Sequence, residues 1–126
     1  MTLLNPARSA YARPEAVART PRSLEYDLLA RTTQRLGAAW AKRRDDFPGL
    51  ATALDANVRL WTILAADVAE PTNELPQNLR AQLFYLYEFT AEHTRNVLSA
   101  GASVEVLIDI NTAVMRGLRG DGGGGA

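Results

Sequence analysis

LPQNLRAQLFYLYEFTAEHTRNVL, residues 75–98, decides the fold class. Pro76 suits the first turn of a helix, where its missing N–H costs nothing. After it, Leu79, Leu83, Leu86, His93 and Val97 fall on one stripe at helical spacing. Phe84, Tyr87 and Ala91 share a second stripe, and Tyr85 and Phe89 a third. Four of the six residues from 84 to 89 are aromatic, more than one buried face requires. A helix apolar nearly all round is either enclosed by neighbours or lends one side to a partner. The stretch reads as the central helix of a small bundle. Two readings stand for its aromatics: all of them in the core, or one edge kept for a partner.

Working outward, the same rhythm recurs three times. A first helix starts near Pro21, behind Thr20 as cap, and runs to about Arg44. Leu24, Leu28, Leu29, Thr32, Leu36 and Trp40 mark its apolar face. Gly37 interrupts that face and suggests close packing against another helix. A second helix runs from about Pro48 to Ala69, with Leu50, Leu54, Val58, Trp61, Leu64, Ala65 and Val68 inward and Asn57 beside them. EPTNEL, residues 70–75, is a polar turn. Gly101 caps the third helix, and Ser103 with Glu105 opens a fourth. Val104, Leu107, Ile108, Asn111, Val114, Met115 and Leu118 form the cleanest stripe of all. No strand pattern or repeat is present. The expected fold is all-α, a single small helical bundle of about four main helices, antiparallel because the connections are short.

Three segments follow from composition: a basic Pro/Arg lead-in at 1–20, the helical domain at 21–119, and a flexible Gly-rich tail at 120–126. At 126 residues and 47% apolar, the chain can bury a core without covalent staples. The 14 basic and 14 acidic residues balance, so no global field draws in nucleic acid or a membrane. Cysteine is absent, which removes disulfides, thiolate metal sites and thiol nucleophiles, and fits the cytoplasm. No apolar run approaches a membrane span, and the arginine-bearing start lacks the apolar core of a signal peptide.

A catalytic reading finds little support. His93 is the single histidine, and it reads as a surface or core-edge residue. Glu88 and Glu92 lie one turn apart, but no histidine follows either by three residues, as a di-iron bundle requires. No Gly-rich segment joins a strand to a helix, so there is no phosphate cradle. The expectation is a non-enzyme with no catalytic residue, metal or cofactor.

Polar residues on apolar faces say more. A buried amide left unpaired costs about 1–3 kcal/mol. Asn57 and Asn111 are therefore expected to bond a helix backbone or each other, or else to line a groove for a peptide. Asp67 opposes the dipole at the end of the second helix, and Arg80 opposes it at the start of the third. An Asp67–Arg80 bridge across the turn would satisfy both.

Three segments together resemble the FlaF flagellar biosynthesis regulators of alphaproteobacteria: NVRLWTILAADVA (57–69), NELPQNLRAQL (73–83) and LIDINTAVMRGL (107–118). The matching positions are Asn57, Leu60, Trp61, Asp67, Asn73, Leu75, Pro76, Leu79, Arg80, Ala81, Ile110, Asn111, Met115, Gly117 and Leu118. PRSLEYDLL, residues 21–29, fits the family's first helix, so the resemblance covers roughly residues 8–119. The resemblance implies a cytoplasmic protein needed to make the flagellar filament. It implies a role in flagellin synthesis after transcription, in flagellin secretion, or in both, alongside an FlbT-type regulator.

The leading expectation is a protein-binding regulator or chaperone whose partner is flagellin, the FlbT-type protein, or both. Its expected contact residues are Asn57, Leu60, Trp61, Phe84, Tyr85 and Tyr87, with Asp67, Arg80 and Asn111 as structural polar groups. The alternative is an RNA-binding regulator of flagellin messenger RNA, using the N-terminal arginines with Arg31, Arg35, Arg43 and Arg44. Balanced charge weighs against it. A homodimer joined through the apolar edge is the third reading.

Overall fold

The computed structural model describes residues 21–119. The lead-in at 1–20, including Arg8, Arg13 and Arg19, and the tail at 120–126 lie outside the described residues, as do the side chains of Arg22 and Leu24. Four helices follow in order: α1 (Pro21–Ala41), α2 (Phe47–Ala69), α3 (Gln77–Ala100) and α4 (Glu105–Arg119). The fold is all-α, a small four-helix bundle.

Local chemistry sets the boundaries. α1 stops at Ala41, three residues short of the expected Arg44. Residues 42–45 form a turn in which Asp46 N–H reaches Lys42 O at 2.9 Å. Asp46 then caps α2: its Oδ1 accepts from Gly49 N–H at 2.9 Å, with Pro48 in the first turn. At the end of α3, Gly101 takes φ 74°, a left-handed conformation that glycine adopts without strain. Ser103 Oγ accepts from Glu105 N–H at 3.0 Å and opens α4 as its sequence suggests.

The helix that organises the bundle is α2, not α3. α2 buries Leu50, Ala53, Leu54, Asn57, Leu60, Trp61, Leu64, Ala65 and Val68, whereas α3 buries only Thr90, Thr94 and Val97. The reason is topological. α2 packs on α1 along one side and on α3 along the other, and the side chains of α4 reach it across the core. α4 leans on α1 and barely approaches α3. With one main neighbour, α3 can bury only one narrow face, and that face is built of small residues.

One end of the core is apolar: Leu36, Leu50, Ala53, Leu54, Val97, Val104 and Leu107, flanked by Trp40 and Ile108. Burying each leucine fully contributes about 1.5–3 kcal/mol. Gly37 faces α4, but a Cβ there would stand 3.9 Å from Ile108 Cδ1, an ordinary contact. Close helix approach therefore does not explain that glycine.

The middle of the core is polar. Asn111 Oδ1 accepts from Trp61 Nε1–H at 2.9 Å. Asn111 Nδ2 donates to Asn57 Oδ1 at 2.9 Å and to Thr33 Oγ1 at 3.1 Å. Thr33 in turn donates to Leu29 O at 2.6 Å. The network ties α1, α2 and α4 at one level, and every hydrogen-bonding group of the Asn111 side chain is used. The expectation that the two asparagines bond each other holds.

Candidate partner-binding surface

The six expected contact residues divide by helix. Asn57 and Trp61 are fully buried, and Leu60 retains only 8% exposure. These three are core residues, and no partner can reach them on the folded bundle. The sequence misleads here because a tryptophan on an amphipathic face serves a core and a hot spot equally well. The structure assigns Trp61 to the core by giving its indole N–H a buried acceptor.

On α3 the outcome is the opposite. Phe84 is 38% and Tyr85 63% exposed, while Tyr87 and Phe89 are half-buried. None of the four α3 aromatics is fully buried, so the reading that places them all in the core is wrong. Leu79, one turn nearer the start of α3, is also exposed. Consecutive helical residues point about 100° apart, so Phe84 and Tyr85 lie on different flanks. Phe84 packs edge-on against Tyr87, with centroids 5.6 Å apart. On the other flank, the Phe89 ring stacks on His93 at 5.6 Å. His93 Nε2 meets Ser103 O at 2.7 Å, tying α3 to the entrance of α4. The histidine is thus a core-edge strut, in line with its sequence reading.

The Asp67–Arg80 bridge does not form. Arg80 Nε donates to Val68 O at 2.9 Å, and its Nη2 donates to Glu70 O at 3.0 Å. The guanidinium therefore covers the carbonyls that α2 leaves open at its C-terminus, where a cation is favoured. Asp67 Oδ2 instead accepts from Asn73 Nδ2 at 3.3 Å, and the same amide nitrogen reaches Asp67 O at 3.1 Å. Asn73 Oδ1 accepts from Leu75 N–H at 3.0 Å, closing the turn. Backbone carbonyls outcompete the carboxylate for Arg80 because they are fixed in place at the end of α2, Val68 O without a helical partner and Glu70 O shared with Asn73 N–H.

The described residues include two surface clefts. One, of about 300 Å³, lies between α1 and α2 and is lined by Arg35, Lys42, Asp46, Gly49 and small residues. The other, of about 220 Å³, runs between α2 and α3 and is lined by Ala51, Asp55, Val58, Ala91, Thr94, Arg95 and Leu98. The sequence pointed to neither. Leu98 and Ile63 are exposed apolar residues, and the signal for Ile63 was its place off the buried stripe of α2. Of the arginines considered for RNA, Arg43 lies over the Trp40 ring at 4.0 Å and donates to Trp40 O at 2.9 Å, which occupies it locally. Arg31, Arg35 and Arg44 are exposed.

Among the described residues, no group of three His, Asp or Glu side chains could hold a metal ion. Within the same residues, no helix is long and apolar enough to cross a membrane. A family model described as flagellar protein FlaF matches residues 7–118. The chain belongs to the FlaF family. No curated protein and no solved structure matches it. The family match spans all four helices and includes part of the lead-in, so the polar core, the Arg80 clamp and the exposed α3 aromatics all lie in the family's domain. FlaF membership makes this a flagellar protein.

Proposed function

We propose that this chain is a non-enzymatic, cytoplasmic regulator that promotes flagellin synthesis, flagellin secretion, or both, through protein contacts. It acts as a flagellin chaperone or as an adaptor working with an FlbT-type translational regulator. The observation that carries the reading is the aromatic surface left on α3, with Tyr85 63% exposed. Tyrosine and phenylalanine on a rigid helix supply large contact area at little entropic cost. An amphipathic helix from a partner is the kind of segment such a surface takes. The sites on α3 are Leu79, Phe84, Tyr85 and Tyr87. Asn57, Leu60 and Trp61 support them from the core and make no contact with the partner.

The test is co-purification and calorimetry with flagellin and, separately, with an FlbT-type protein. Tyr85→Ala is the informative variant, because that side chain adds little to the core. Tight flagellin binding that weakens at least about tenfold in Tyr85→Ala supports the chaperone reading. Binding to the FlbT-type protein alone makes the chain an adaptor. Binding to neither, with salt-sensitive binding to flagellin messenger RNA, overturns the protein-contact reading.

A further inference from the structure

The cleft between α2 and α3 carries a charge pattern that none of the preceding roles uses. Asp55 on the α2 rim and Arg95 on the α3 rim line the same cavity. One turn along α2, Arg59 pairs with Asp55 at 2.8 Å. One turn along α3, Glu92 pairs with Arg95 at 2.6 Å. The helices run antiparallel: Arg80 at the start of α3 bonds to Val68 at the end of α2, whereas Leu98 lies beside Ala51. Both turns therefore lead toward the same end of the bundle. In that register the charges alternate in sign, with Asp55 and Arg95 on the two walls of the cleft and their partners Arg59 and Glu92 one turn beyond them.

Such a pattern is complementary to itself. A twofold axis along the cleft sets Asp55 of one copy against Arg95 of the second and Arg59 against Glu92. An axis across the cleft sets Asp55 against Arg59 and Arg95 against Glu92. In either arrangement all four corners attract. Between the rims the surface is apolar, with Ala51 and Val58 from α2, Ala91 from α3, and Leu98 39% exposed at one end. Phe84, seven residues before Ala91, extends the same line and is 38% exposed. From residue 84 to residue 98 the strip is about 21 Å long at 1.5 Å per residue.

We infer that the α2–α3 cleft, lined by Asp55 and Arg95 and flanked by their ion-pair partners Arg59 and Glu92, is a self-association face that seats a second copy of this chain. The charges restrict the second copy to these two orientations, and the alanine–leucine strip supplies the contact. A face of this size gives a weak, concentration-dependent dimer. It shares Phe84 with the proposed partner-binding surface but lies away from Tyr85, so Tyr85→Ala separates the two readings.

The experiment is sedimentation equilibrium of the full chain over a wide concentration range, with charge-reversal variants. The mass is expected to climb from 13.7 kDa toward twice that value. Asp55→Arg, on a side chain 64% exposed, should keep the helical circular dichroism and weaken dimerisation about tenfold. Asp55→Arg with Arg95→Asp restores attraction only for an axis along the cleft. Asp55→Arg with Arg59→Asp restores it only for an axis across the cleft. Recovery in one double variant supports the face and fixes its symmetry. Tyr85→Ala should leave the dimer unchanged. A wild-type mass that stays at 13.7 kDa up to about 1 mM overturns the inference. So does an Asp55→Arg chain that dimerises as well as wild type, or a loss that neither double variant repairs.

Discussion

Trp61 Nε1–H donates to Asn111 Oδ1 at 2.9 Å, joining α2 to α4 through side chains although their backbones stay apart. Fifty residues separate the two in sequence. The bond explains why a polar residue can sit within the most apolar stripe of the chain: Asn111 pairs both the indole N–H and the Asn57 Oδ1, while Asn57 Nδ2 stays buried without a partner among the described residues.

Asn111→Leu should therefore cost far more than a surface change. It leaves the Trp61 indole N–H and the Asn57 carbonyl buried without partners, a loss of about 3 kcal/mol. Urea unfolding followed by far-ultraviolet circular dichroism measures it. Trp61→Phe combined with Asn111→Leu should cost clearly less than the sum of the single changes, because the pair shares one bond. Full additivity would mean that the bond contributes nothing to stability.

Thr90 offers the opposite case. Its Oγ1 is buried and has no partner among the described residues, whereas Thr33, Thr62, Thr94 and Thr112 all bond the carbonyl four residues back. Thr90→Val keeps the shape and removes a desolvated hydroxyl. It should raise stability by about 1 kcal/mol. A drop in the urea midpoint would show that the hydroxyl has a partner in solution, such as a buried water.

Arg80 and Asp67, which a charge-based reading pairs, should respond independently. Arg80→Met uncovers Val68 O, leaves Glu70 O with Asn73 N–H alone, and should destabilise by about 1 kcal/mol through the lost cap of α2. Arg80→Lys should recover little of this, because one ammonium lacks the fork that spans both carbonyls. Asp67→Asn should change stability by less than about 0.5 kcal/mol. A coupling above about 1 kcal/mol between positions 67 and 80 in a double-mutant cycle would contradict the observed partners.

Gly101 and Gly37 should differ in sign on replacement by alanine. Nothing lies within 4 Å of a Cβ at Gly101, so the cost there comes wholly from φ 74° and should be about 1 kcal/mol. Gly37 sits in α1 with room for a methyl group, and Gly37→Ala should gain about 0.5–1 kcal/mol from helix propensity and reduced freedom of the unfolded chain. Thermal melts of the two variants should move in opposite directions.

The sequence by itself determined the elements. Pro48, Pro76, Gly101 and Ser103 punctuate the helices through chemistry reaching no more than a few residues, and local chemistry of that range is legible in a string of letters. The 3.6-residue rhythm likewise marked Leu50, Leu54 and Leu64 as inward, and the ordered motifs carried the family. Only the tertiary structure decided how the faces were shared. Periodicity reports which side of a helix is apolar, not how many neighbours will cover it. So α3, richest in aromatics, proved half-open, and α2 took the centre. The fates of Trp61 and Tyr85 were likewise set by packing: one found an acceptor on α4, and the other found no helix opposite. Arg80 chose fixed carbonyls over a carboxylate because helix termini meet in space at positions that sequence separation does not encode.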